Sequence, residues 1–140
     1  MEKLPFPDEY ADTAIAIHVI EHFYYWDVHN VLLEWNRVLK AGGTLILELP
    51  CMNKIVKYMA DCLEKNQDFN VQMTWLALWG DPRYKSVDMC HKWGYAKSQI
   101  MQELQLAGFT DVRFETPRYH VPNRDMRVVA TKPTIKQENV

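Results

Sequence analysis

The rhythm of apolar and polar positions changes several times along this chain, and each change predicts an element. "LPFPDEYAD" (4–12) carries prolines and acids and reads as a loop. "TAIAIHV" (Thr13–Val19) is apolar and partly β-branched and reads as a buried strand, although period alone leaves a short helix open. From Asp27 onward, Val28, Val31, Leu32, Trp35, Val38 and Leu39 recur at three- and four-residue steps, which is one face of a helix. Asp27 offers an N-cap, and Lys40-Ala41-Gly42-Gly43 offers a basic last turn with a left-handed glycine stop. "TLILELP" follows at once, a strand closed by Pro50. Strand, helix and strand with a short glycine link make a βαβ unit, so a parallel pair is expected.

A second helix is expected over Asn53–Lys65, with Met52, Ile55, Val56, Met59, Ala60 and Leu63 on one side. Between Asn66 and Tyr95 the pattern breaks down. "VQMTWLALWG" fits a helix or buried irregular structure, and "DPRYKSVDMCHKWGY" fits a long loop, a kind of segment that often carries function. A third helix over Ala96–Ala107 turns Ile100, Met101, Leu104 and Ala107 inward and stops at Gly108. "TDVRFETP" and "DMRVVATKP" read as two strands pairing antiparallel across the Pro117–Asn123 connection. One domain over 1–133 and a flexible tail over 134–140 result.

Composition narrows the class. With 48% apolar and 24% charged residues the chain is of soluble globular type, and 140 residues suffice for one core but not two. A net charge of −2 provides no electrostatic footprint for nucleic acid or an anionic membrane. Cys51, Cys62 and Cys90 are odd in number, far apart and free of C-x-x-C spacing, so reduced thiols in a cytoplasmic setting are expected. No apolar run approaches a membrane span, and "MEKLPFPDEY" is no signal peptide.

Candidate chemistry begins at "HVIEH" (18–22), which fits the H-x-x-E-H pattern of one class of zinc hydrolases. On a helix, His18 and His22 would share a face. "TAIAI" just upstream instead favours a strand ending at His18 or Val19, so no metal is expected there. The aromatic run "FYYW" (23–26) could attract a cationic ligand, but Phe23 and Trp26 are expected to bury against the following helix with the tyrosines at the surface. His29 and His120 lie in no motif and are expected to face solvent, and no Ser or Cys nucleophile motif is present.

Four blocks together carry a family resemblance: "LPFPDEYADTAIAIHVIEHF", "LLEWNRVLKAGGTLILELP", "HKWGY…LQLAGF" and "RDMRVVATKP". In this order they resemble class I S-adenosylmethionine (SAM)-dependent methyltransferases, most closely the type 11-like and small methyltransferases with an "HK-x-G" loop. The resemblance implies an α/β fold, a truncated Rossmann-like sheet of parallel strands with a C-terminal antiparallel strand. It implies SAM as cofactor if the site is completed, with Leu4, Pro5 and Phe6 covering the adenine side and His18 near the sulfonium. It makes His91 the general-base candidate, since histidine titrates near neutrality, with His18 as a second catalytic candidate. Glu21, His22, Glu48, Lys92 and Tyr95 become candidates for the acceptor side. For Glu21 and His22 a capping role, and for Trp93-Gly94-Tyr95 a packing and turn role, stand as equal alternatives.

The departure from the family concerns the cofactor. Members begin with a strand, a glycine-rich loop and a helix, whereas no Gly-x-Gly precedes Thr13 here and the first glycine is Gly42. The sequence therefore reads as the C-terminal portion of that fold. The absent first strand would lie beside "TAIAIHV", leaving an apolar edge that invites self-association or a complementing chain through Thr13–Val19. Two functions follow: a methyltransferase of unknown acceptor, or a non-catalytic remnant acting as an interaction or structural subunit.

Overall fold

The computed structural model describes residues 3–134, and the expected tail, apart from Thr134, lies outside them. Four strands and four helices follow one another as β1 (Ala11–Ile17), α1 (Tyr25–Val38), β2 (Leu39–Pro50), α2 (Met52–Glu64), α3 (Trp75–Trp79), α4 (Lys97–Leu106), β3 (Thr110–Glu115) and β4 (Asp125–Thr131). The sheet order is β1-β2-β4-β3. β1 and β2 run parallel, Ala14 beside Leu45 and Ile17 beside Glu48. β4 runs antiparallel to both β2 and β3. The parallel pair and the C-terminal antiparallel strands are thus as expected, and β1 forms one edge of the sheet.

Alternation along the two central strands places the core. Leu45, Leu47 and Leu49 of β2 share a face with Met126, Val128 and Ala130 of β4. Against that face pack Val28 and Leu32 of α1 and Ile100 and Leu104 of α4, all but closed to solvent. Asn36 on α1 donates to the Ala107 carbonyl at the end of α4 (3.2 Å), tying the two helices together.

The glycines serve a different purpose from the one expected. α1 ends at Val38 with Leu39 already extended, so no left-handed stop closes it. Gly42, at φ +78°, instead turns the chain inside the entry to β2, where its N–H donates to the Lys132 carbonyl at 2.8 Å. Lys132 in turn sends its amine to the carbonyls of Asn36 (2.9 Å) and Leu39 (2.7 Å), supplying from just beyond β4 the cation that Lys40 was expected to bring to the helix end. Asp27 lies within the first turn of α1, and Tyr24 occupies the N-cap without a side-chain bond.

Two apolar faces also differ from expectation. α2 buries Ile55 and Cys62 and leaves Val56 and Leu63 exposed. Trp26 is 73% exposed and stacks on Tyr24 (ring centroids 4.7 Å apart), while Phe23 packs on the core. Trp26 lies in the first turn of a helix whose buried face starts at Val28, two residues or about 200° round, which turns its indole outward.

Candidate functional site

The parallel pair delivers its C-terminal ends to one crevice, the position at which open α/β sheets hold ligands. β1 leaves the sheet at His18, whose φ of 52° bends the chain into a 3-10 turn over Ile20–His22. A left-handed non-glycine residue costs roughly 1–2 kcal/mol, and contacts on both sides of His18 hold it there. Its N–H donates to the Glu48 carbonyl at 2.8 Å. Its ring reaches Asp125 through Nε2 (2.9 Å) and Glu21 Oε1 through Nδ1 (2.9 Å). Burial opposes a charge on this ring, but the hydrogen bond to Asp125 and the close carboxylate of Glu21 outweigh it and raise the pKa to about 9.

Asp125 is fully buried and also accepts from Arg124 (2.6 and 3.0 Å) and the Val121 N–H (3.3 Å). Burial alone would raise its pKa; His18 and Arg124 together hold it down at about 2. His18 is therefore a cation between two carboxylates at neutral pH and has no lone pair with which to accept a proton. His120, exposed as expected, also packs its ring edge-on against His18 at 4.3 Å. Asp125 and Arg124 did not stand out in the sequence; the one signal was a charged pair opening a strand otherwise rich in valine.

The long loop supplies the other wall. Gly80, at φ +86°, turns the chain out of α3, and two 3-10 turns over Pro82–Tyr84 and Val87–Met89 bring it back to His91. The Glu21 carbonyl accepts from the N–H groups of Lys92 (2.7 Å) and Trp93 (3.4 Å), fixing the loop to the turn after β1. His91 donates Nδ1–H to the Ala77 carbonyl at 2.7 Å, which leaves Nε2 as the lone pair, 3.9 Å from Glu21 Oε1. Burial lowers the His91 pKa, partly offset by the bond to Ala77, so its imidazole is neutral at pH 7. His22 meets the Asp88 carbonyl through Nδ1 (3.0 Å), and its ring stands at 90° to that of His91 with centroids 4.8 Å apart.

The remaining candidates divide. Lys92 lines an open pocket of about 470 Å³ with His18, His22 and Tyr24, its amine bonded to the carbonyls of Val87 and Cys90 and lying 5.7 Å from the Tyr24 ring centre. Glu48 and Tyr95, both expected at the acceptor side, are 0% and 1% exposed and lie beneath the crevice. Glu48 spends its oxygens on Arg127 (2.8 Å) and the N–H groups of Arg118 (2.7 Å) and Tyr119 (3.0 Å), leaving no free face for a ligand. Tyr95 joins the end of β2 through a bridge to Cys51.

Leu4 and Phe6 line a pocket against β1 and α1, with Pro5 between them in an exposed loop. Arg37 clamps their loop, donating to Glu34 (2.6 and 2.8 Å), Asp8 (2.7 Å) and the Phe6 carbonyl (3.0 Å), while the Leu4 N–H donates to Glu34 (2.7 Å). The Arg37 guanidinium, with the Leu4 N–H, holds the Glu34 pKa down to about 2. Between loop and strand lies an apolar pocket of about 420 Å³ lined by Leu4, Phe6, Ala14, Ala16, Val19 and Trp35.

Residues 1–47 match the family model of a methyltransferase domain. Solved structures extend the likeness to nearly the whole chain. A SAM-dependent methyltransferase of Archaeoglobus fulgidus aligns over 91% of this chain and 62% of its own, at 15% identity and a TM-score of 0.58. One from Thermotoga maritima aligns over 93% and 60%, at 20% identity and a TM-score of 0.56. Human N-acetylserotonin methyltransferase, solved in complex with SAM, aligns over 94% and 32%, at 16% identity and a TM-score of 0.58. No curated protein matches the sequence. The chain spans 41–62% of the length of the first three solved structures it matches. The four-stranded sheet with its parallel pair shares a Rossmann-like fold with these methyltransferases.

Proposed function

We propose that this chain carries the acceptor side of a SAM-dependent methyltransferase site whose acceptor is unknown. The observation that supports this most is the neutral His91 ring, with Nε2 free, at the C-terminal end of the parallel strands. The apolar pocket beside β1 suits a flat base, so Leu4 and Phe6 would hold the adenine side, with Pro5 stiffening the loop between them. The cofactor supplies a methyl group on a positive sulfur, open to direct in-line attack. The protein's contribution is then positioning, with a base where the nucleophile carries a proton. His91 Nε2 takes that proton. His18 orients Glu21 and balances its charge, and the exposed ring of Tyr24 with Lys92 lines the acceptor entrance.

A second reading is favoured by the edge of β1. Its Thr13 and Ile15 are exposed, and β2 is its sole strand partner among the described residues. We infer that this edge pairs with a complementing chain or a second copy, and that without it the chain acts as an interaction subunit. No helix among the described residues is long and apolar enough to cross a membrane. With its three thiols free, the protein suits the cytoplasm. Calorimetry with SAM separates the readings: micromolar binding with label transfer into a metabolite extract, lost in His91→Asn, supports catalysis. Absence of heat, with dimers by light scattering, supports the subunit.

A further inference from the structure

We propose that Glu21, His22 and His91 form a binding site for a divalent transition-metal ion of the zinc class. One ligand atom from each of the three lies within 4.8 Å of the others. The site does not depend on methyl transfer, and three features of the geometry carry it.

The first is the carboxylate. Glu21 is 1% exposed, and neither of its oxygens has a directed hydrogen-bond partner. Its 2.9 Å approach to His18 Nδ1 is an ion-pair contact outside hydrogen-bond geometry. A buried polar group without a partner costs about 1–3 kcal/mol, more when charged, so a carboxylate in this state calls for a cation. His18 supplies a charge but leaves Oε2 with nothing.

The second is the tautomer of both imidazoles. His91 and His22 each direct Nδ1 at a backbone carbonyl, Ala77 at 2.7 Å and Asp88 at 3.0 Å. A carbonyl accepts only, so each Nδ1 carries a proton, and it is Nε2 that offers the lone pair of the neutral ring. Metal-ligating histidines have this arrangement, in which the outer bond fixes the ring and raises its basicity.

The third is shape. A tetrahedral zinc with bonds near 2.1 Å places its ligand atoms roughly 3.4 Å apart. His91 Nε2 and Glu21 Oε1 stand at 3.9 Å and no pair of the three exceeds 4.8 Å, so side-chain movements of about 0.5–1.4 Å close the set. Three protein ligands leave a position for water or an acceptor oxygen, and His22 faces the open pocket that would admit one. Two imidazoles and one carboxylate suit zinc, cobalt or iron better than magnesium or calcium, which prefer oxygen alone. In the loaded protein His91 is a ligand, and it acts as a base only in the metal-free form.

The test uses the full-length chain, stripped with chelator and titrated with zinc chloride by calorimetry, with elemental analysis after dialysis. One equivalent is expected, and cobalt should give the visible bands of a four- or five-coordinate site. His22→Asn and His91→Asn should each weaken zinc at least tenfold, as should the near-isosteric Glu21→Gln, with circular dichroism unchanged. Cys90→Ser, which removes the exposed thiol, should bind as the parent does. Zinc below a tenth of an equivalent in the parent would overturn the site. So would unchanged affinity in the two histidine variants, or loss of binding in Cys90→Ser alone.

Discussion

Removing Glu48 tests whether the buried acid beneath the crevice is structural. Glu48 is fully buried in β2, faces Arg127 directly across the β2–β4 ladder and holds the connection from β3 to β4 through two N–H groups. Arg127 is itself only 5% exposed, and its second partner, Glu115, stands at a longer 3.4 Å. Glu48→Ala therefore strands a guanidinium in the interior, a loss of about 3–5 kcal/mol for a broken buried pair. The two freed N–H groups lie in a connection that can admit water, so they add little to that figure. At about 2.1 cal/mol/K of unfolding entropy per residue, the melting temperature should fall by roughly 10–17 °C. Glu48→Leu with Arg127→Met removes both charges and should cost roughly 2 kcal/mol or less, because an apolar pair often replaces a buried ion pair with little loss. Urea denaturation followed by tryptophan fluorescence reads all members of the cycle. A loss below 1 kcal/mol in Glu48→Ala, or a double variant as unstable as the sum of the singles, would refute the structural role and return Glu48 to the ligand-binding candidates.

Other perturbations follow from the same geometry. The His18 pKa is raised from 6.5 to about 9, so its ion pairs stabilise the fold fully below pH 6.5 and fade as pH rises through 9; His18→Gln should flatten the melting temperature between pH 6 and 10. Asp125 has the opposite sign: the stability it contributes is present above 3.8 and lost as pH falls through about 2, so Asp125→Asn should flatten the acid limb of a thermal scan. Gly80→Ala places a Cβ against the Met89 carbonyl at a left-handed φ, so loop 81–90 must shift, and proteolysis there should quicken while the sheet keeps its circular dichroism. Arg37→Ala frees the Leu4–Asp8 loop and should weaken SAM binding at least several-fold by calorimetry if that loop covers the adenine side.

Local pattern made the sheet legible. The apolar runs "TLILELP" and "DMRVVATKP" marked the two central strands, and the step of three and four marked α1. Boundaries moved where long-range bonds decided them: β1 begins at Ala11 because Ala11 pairs with Leu39 across the Lys40–Gly43 turn. The pairing of Glu48 was not legible, because a place at the end of a strand says nothing of a partner, Arg127, 79 positions away. The metal-ligating set was hidden for the same reason. "HVIEH" suggested His18 with His22 on a helix, whereas the backbone turns at His18 and pairs Glu21 and His22 with a histidine 69 or 70 residues further along. The "HKWGY" loop was marked by resemblance, and spacing alone carries no sign that it returns to Glu21.

The bond from the Lys92 N–H to the Glu21 carbonyl has a kinetic consequence. Glu21 offers its main chain to the loop and its side chain to the crevice, so the hinge pin and the chemical group are one residue. The loop cannot swing open while the turn keeps its shape, and a ligand gripping the carboxylate stiffens that turn. Entry and release are then gated by the same 3-10 turn that presents the site. A tightly held occupant should slow hydrogen exchange at Lys92 and Trp93 together, as a single opening event.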